Sequence, residues 1–249
     1  MKISIQRDGL TLRGELAGTT NQQVDTLAIV MHGFKADMNS TVTVGVAKHL
    51  NEVGIPTLRF SFAGCGDSDG DFADMTVFSE ILDAIKVVEY AKQKLGVKHL
   101  YLVGHSQGGV ITSMVAAYYH DLVDKAVLLS PAASLKDDAC QGKCQGSTYD
   151  PQHIPRTVDV TGFQVGGAYF RTAQLMPIYE TARHYDRPTL IIAGANDSIV
   201  DPYFAKKYDT VMPNTKFYLL NGAEHDLSGA NGQQAHAFDL VGQFLTDQG

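Results

Sequence analysis

The chain has 249 residues, 44% of them hydrophobic and 19% charged, and carries a formal net charge of −7. This is the composition of a globular protein with enough apolar residues for one large α/β core. The acidic balance, with lysines such as Lys92, Lys94 and Lys98 scattered rather than clustered, argues against nucleic acid as a partner. No run approaches the roughly 18 apolar residues of a membrane helix, and residues 1–9 alternate like an edge strand rather than forming a secretory signal, so a cytoplasmic protein without membrane association is expected. Cys65, Cys140 and Cys144 are odd in number and sparse, with no histidine at ligand spacing around the last two. Free thiols and no metal are expected.

In chain order, residues 2–7 and 10–16 flank the turn pair Asp8-Gly9 and read as a hairpin. Unbroken apolar runs follow at 27–31, 100–103, 126–129, 190–193 and 217–220, with a further candidate strand at 57–62, the pattern of strands covered on both faces in a parallel sheet. Between them, Phe78, Ile81, Leu82, Ile85, Val88, Ala91 and Leu95 recur at helical steps. Glu80, Asp83, Lys86 and Glu89 fall on the opposite face, which is expected in solvent. Ala237, Phe238, Val241, Phe244 and Leu245 repeat the design near the carboxyl end. Alternating strands and helices predict one α/β domain over 1–249, a mostly parallel, doubly wound sheet with right-handed crossovers. Residues 131–180 separate two late strands by more than a crossover helix needs, and are expected to form a cap over the site.

Chemistry concentrates at Gly104-His105-Ser106-Gln107-Gly108, between an apolar run and a helical pattern. A serine on so sharp a strand-to-helix bend has its hydroxyl exposed, and flanking glycines remove side chains that would obstruct the bend, so Ser106 is the predicted nucleophile. A serine hydroxyl needs a base, and the base needs a carboxylate, which in this arrangement follow in the order Ser, Asp, His on loops after strands. Asp197 and His225 occupy such loops. Asp201, followed by Pro202, reads as a helix N-cap, and Asp226 points away from its neighbour. His49, His120 and His236 fall in predicted helices, His99 at a strand start, and His105 packs at the bend. Backbone amides of Gln107 and of Phe34, in His32-Gly33-Phe34, are the expected oxyanion donors. Residues 64–70 lack the third glycine of a dinucleotide loop. In 67–78, Phe72 and Phe78 replace the glycine and glutamate of a calcium loop, so neither ligand is expected.

With these parts assembled, the chain resembles the α/β-hydrolases over nearly its full length. His32-Gly33-Phe34, the glycine-rich 64–70, the bend at 104–109, Ser130-Pro131-Ala132-Ala133 and stretches within 145–180 are similar to bacterial cinnamoyl (feruloyl) esterases. The resemblance implies a cap pocket in which Asp138, Gln145 and Tyr169 hold the hydroxyls of an aromatic acyl group. A carboxylate, an amide and a phenol have the donors and acceptors for that task. Residues 158–165 depart from the family pattern, which leaves pocket shape open. The reading is a serine esterase of hydroxycinnamate esters that needs no cofactor, takes a small aromatic ester as its partner and leaves a homodimer open. General short-chain esterase or monoacylglycerol lipase activity is the enzymatic alternative, and a non-catalytic ligand-binding role the alternative from another class.

Overall fold

The computed structural model describes residues 1–20 and 23–247. Strands β1 (Lys2–Arg7) and β2 (Leu10–Ala17) form the expected antiparallel hairpin. Asp8 and Gly9 have φ of 50° and 85°, the left-handed pair whose twist matches that of the flanking strands. β3 (Thr26–Met31), α1 (Thr41–Glu52), β4 (Thr57–Phe60), α2 (Val77–Gln93), β5 (His99–His105), α3 (Gln107–Tyr118) and β6 (Lys125–Leu129) then alternate. The segment before the next sheet strand carries α4 (Leu135–Gln141), β7 (Lys143–Cys144), β8 (Ser147–Thr148), β9 (Thr157–Val160), β10 (Phe163–Gly166), α5 (Gly167–Ala173) and α6 (Ile178–Ala182). The chain closes with β11 (Thr189–Gly194), α7 (Pro202–Val211), β12 (Thr215–Leu220) and α8 (Gln233–Thr246).

The sheet order is β1-β2-β4-β3-β5-β6-β11-β12. The pairs involving β2 are antiparallel and the rest parallel. Strand alternation divides the core in two. From β3, Leu27, Ile29 and Met31 pack with α2 and α3, whereas Ala28 and Val30 pack with α1 and α8. Helix α3 is buried from Gln107 to Ala117, so the element that follows the bend at Ser106 is enclosed on all sides. No helix among the described residues is long and apolar enough to cross a membrane.

Four expectations need correction. β4 stops at Phe60, not residue 62, because the Phe62 N–H donates to the His32 ring instead of the ladder. β12 is an edge strand, and its Tyr218 and Leu219 are exposed rather than covered. His120 lies in the turn beyond α3. On α2 the faces are rotated: Glu80 and Asp83 are buried, while Phe78 and Leu82 are exposed. The cause is polar partners in the interior. Asp83 pairs with Arg7 of β1 at 2.5 Å and accepts the Ala63 N–H at 2.8 Å, and Glu80 meets Gln107 of α3.

Candidate active site

The bend between β5 and α3 is tight because two glycines let backbones meet. A Cβ at Gly104 would lie 2.1 Å from the Gly108 carbonyl oxygen, and one at Gly108 would lie 2.4 Å from that of His32. Ser106 sits at the apex with φ 56° and ψ −121°, a conformation costly for a side-chain-bearing residue. Its backbone is pinned on both sides: its N–H donates to Leu129 at 2.9 Å, and its carbonyl accepts from Gly109 and Ala132.

Parallel pairing in the order β5, β6, β11, β12 brings the loops after β11 and β12 to the same sheet edge. Asp197 is almost fully buried; its Oδ1 accepts the N–H groups of Ile199 and Val200, each at 2.9 Å, leaving Oδ2 for His225 Nδ1 at 2.7 Å. The carboxylate accepts, so Nδ1 carries the hydrogen and Nε2 presents a lone pair. That lone pair faces Ser106 Oγ at 2.9 Å. The three residues predicted from chain order are therefore hydrogen-bonded in series. Asp201 caps α7 through the Tyr203 N–H, as its sequence context indicated, and Asp226 turns to the Ser228 N–H.

Two further histidines shape the site. The His32 Nε2 accepts the Phe62 N–H, so its Nδ1–H donates to the Gly33 carbonyl at 2.9 Å. Burial pushes its pKa down to about 4, keeping the ring neutral in that role. The loop it holds presses on Ser106, since a Cβ at Gly33 would be 2.9 Å from that of Ser106. His105 donates from Nε2 to the His225 carbonyl at 3.0 Å, and burial likewise lowers its pKa to about 4. Sequence treated His105 as packing; it also fixes the backbone of His225. Among the described residues, the amides of Phe34 and Gln107 have no backbone acceptor.

The segment between β6 and β11 closes over this edge. With Ser106, Phe34 and Gln107 it forms a pocket that Asp138, Gln145 and Tyr169 also line. Asp138 stands on α4, where burial raises its pKa above the usual carboxylate range. Gln145, exposed, occupies the two-residue turn of the β7–β8 hairpin with Gly146, both at positive φ. Tyr169 of α5 is buried, stacks on Phe34 with ring centroids 5.3 Å apart, and donates its hydroxyl to Gln107 Oε1 at 2.8 Å. The 158–165 stretch folds as the β9–β10 hairpin. Its turn residue Thr161 accepts from Lys35 Nζ, and its Phe163 packs edge-on against Phe72.

Residues 29–154 match the family model described as alpha/beta hydrolase fold, just over half of the chain. The chain belongs to the α/β-hydrolase family. Est1E from Butyrivibrio proteoclasticus, in a structure with ferulic acid bound, superposes with a TM-score of 0.92 at 31% identity, covering 99% of this chain and 98% of that one. A Mycoplasma pneumoniae protein named esterase/lipase 2 is 25% identical over 87% of this chain and 88% of its own length. A lysophosphatidylserine lipase of Danio rerio is 29% identical over 81% of this chain, which spans only about half of that lipase. These relatives support a carboxylic ester hydrolase within the α/β-hydrolase family.

Proposed function

We propose that the protein is a serine esterase that cleaves hydroxycinnamate esters through an acyl-enzyme. The observation that carries this reading is the series Ser106–His225–Asp197 opening onto a cavity lined by Tyr169, Asp138 and Gln145. Ser106 Oγ attacks the ester carbonyl as His225 Nε2 takes its proton, and Asp197 fixes the tautomer and supports the imidazolium. The oxyanion is held by the amides of Phe34 and Gln107, each such donor contributing about 3 kcal/mol to the transition state. His225 returns the proton to the departing alcohol. Water then attacks the acyl group by the same route and releases the acid.

The acyl preference rests on the cavity and on the similarity to a protein whose structure holds ferulic acid. A ring hydroxyl needs polar partners in an otherwise apolar slot, and Asp138 and Tyr169 supply them. The test is a kcat/KM panel spanning methyl hydroxycinnamates and aliphatic nitrophenyl esters, with wild type and Asp138→Ala. Hydroxycinnamates should lead, and the substitution should cost them about tenfold while sparing acetate esters. Equal rates across the panel would leave a general esterase, and turnover without a burst or any loss in Ser106→Ala would remove the triad assignment.

A further inference from the structure

The proposed reaction makes no use of Glu80, yet this carboxyl is 2% exposed beneath the site. Asp83, one turn further along α2, has Arg7 as its counter-charge. Glu80 has a carboxamide instead: Gln107 Nε2 donates to its Oε2 at 2.5 Å. The other end of that carboxamide, Oε1, accepts the Tyr169 hydroxyl. Three helices thus contribute one link each to a buried chain that runs from α2 through α3 to the cavity wall on α5.

The direction of this chain is set at its buried end. A carboxamide has one donor end and one acceptor end. The acceptor oxygen of Glu80 draws the NH2 of Gln107 toward itself, leaving the carbonyl to take the Tyr169 hydrogen. What the Tyr169 oxygen can then offer a ligand is a lone pair. Asp138, on the same cavity, is a carboxyl rich in acceptor oxygens. We propose that Glu80 is a positioning residue that, through Gln107, makes Tyr169 a hydrogen-bond acceptor, so that the cavity selects acyl rings bearing a free hydroxyl over the same rings O-methylated. This inference rests on the hydroxycinnamate reading and extends it to a residue outside the cavity. Burial and the neighbouring Asp83 push the Glu80 pKa up to about 8; the ionised carboxylate can only accept from Gln107, whereas the protonated acid keeps its carbonyl acceptor but gains a donor hydrogen, so the direction is strict only when Glu80 is ionised.

The test compares kcat/KM for methyl 4-hydroxycinnamate and methyl 4-methoxycinnamate in wild type, Glu80→Gln and Glu80→Met. Glutamine matches glutamate in size but can turn either end toward Gln107, and methionine fills the space without a strong acceptor. Wild type is expected to prefer the hydroxy ester by about 100-fold, since a site built around a hydroxyl rejects the analogue that lacks its donor. Either variant should cut that preference about tenfold through a raised KM for the hydroxy ester. In a Tyr169→Phe background, Glu80→Gln should remove nothing further. If one substitution does not yield folded protein, the other is read in the same way. A merely structural Glu80 would slow both esters by one factor and leave the preference intact, which overturns the proposal while sparing the hydroxycinnamate reading. A wild type that turns over neither cinnamate takes both down.

Discussion

Ser106 holds an unfavourable backbone conformation, φ 56° and ψ −121°, that backbone hydrogen bonds on both sides enforce. Strain of this kind costs on the order of 1–3 kcal/mol, and glycine escapes most of it. Ser106→Gly is therefore expected to be more stable than Ser106→Ala by about 1 kcal/mol in denaturant unfolding, although both lose the hydroxyl and should lose ester hydrolysis about 10,000-fold or more. A second expectation concerns His105. In the folded state it takes up a proton only near pH 4, in the unfolded chain near 6.5, so between these values unfolding binds a proton. Its contribution to stability is present above pH 6.5 and is lost as pH falls toward 4. Relative to His105→Gln, which keeps a donor but does not titrate, the wild-type melting temperature should drop across that window; a constant offset would contradict it. At this scale the hydrogen-bonded series Ser106–His225–Asp197 was legible because its order along the chain and its place after strands are what activation of a serine would require. The tasks of His32 and His105 were not, because both rest on carbonyls and amides that only the folded chain brings within reach.

Among the elements, the strands were readable from apolar runs, and their bounds shifted by only a few residues. The face of α2 was not. Periodicity counts hydrophobic positions and assigns charges to water, but Glu80 and Asp83 have partners inside, and Phe78 and Leu82 are the ones left outside. The two views make opposite forecasts. Leu82→Glu should change stability by no more than about 0.5 kcal/mol, as expected of an exposed site. Arg7→Ala should cost about 3 kcal/mol, because it leaves the Asp83 carboxyl buried without its cation. Urea unfolding of both variants separates the readings. The edge position of β12 escaped the sequence for a related reason: strand order is decided by crossovers, and the residues of an outer strand can be as apolar as those of a central one.

Across the whole molecule, the segment between β6 and β11 is tied to the sheet edge at several points, among them Lys35 to Thr161 and Phe72 to Phe163. Its length and location could be read from the sequence, and its folding into hairpins and short helices could not, since elements of two to seven residues give too few periods to count. Tyr169 carries the closest tie. Its ring stacks on Phe34 and its hydroxyl bonds to Gln107, the two residues whose amides are proposed to steady the oxyanion. Tyr169→Phe keeps the stack, so acetate ester turnover should hold within about twofold while hydroxycinnamate KM rises. Tyr169→Ala removes the stack as well, and kcat should fall for both ester classes. An unchanged kcat in the alanine variant would show the contact to be incidental. If the tie holds, the wall proposed to admit the acyl group also braces the groups proposed to speed its cleavage. Anyone recutting this enzyme for bulkier acids would then find that widening the slot at Tyr169 slackens the catalytic loop too, and that room has to be made from the Asp138 side.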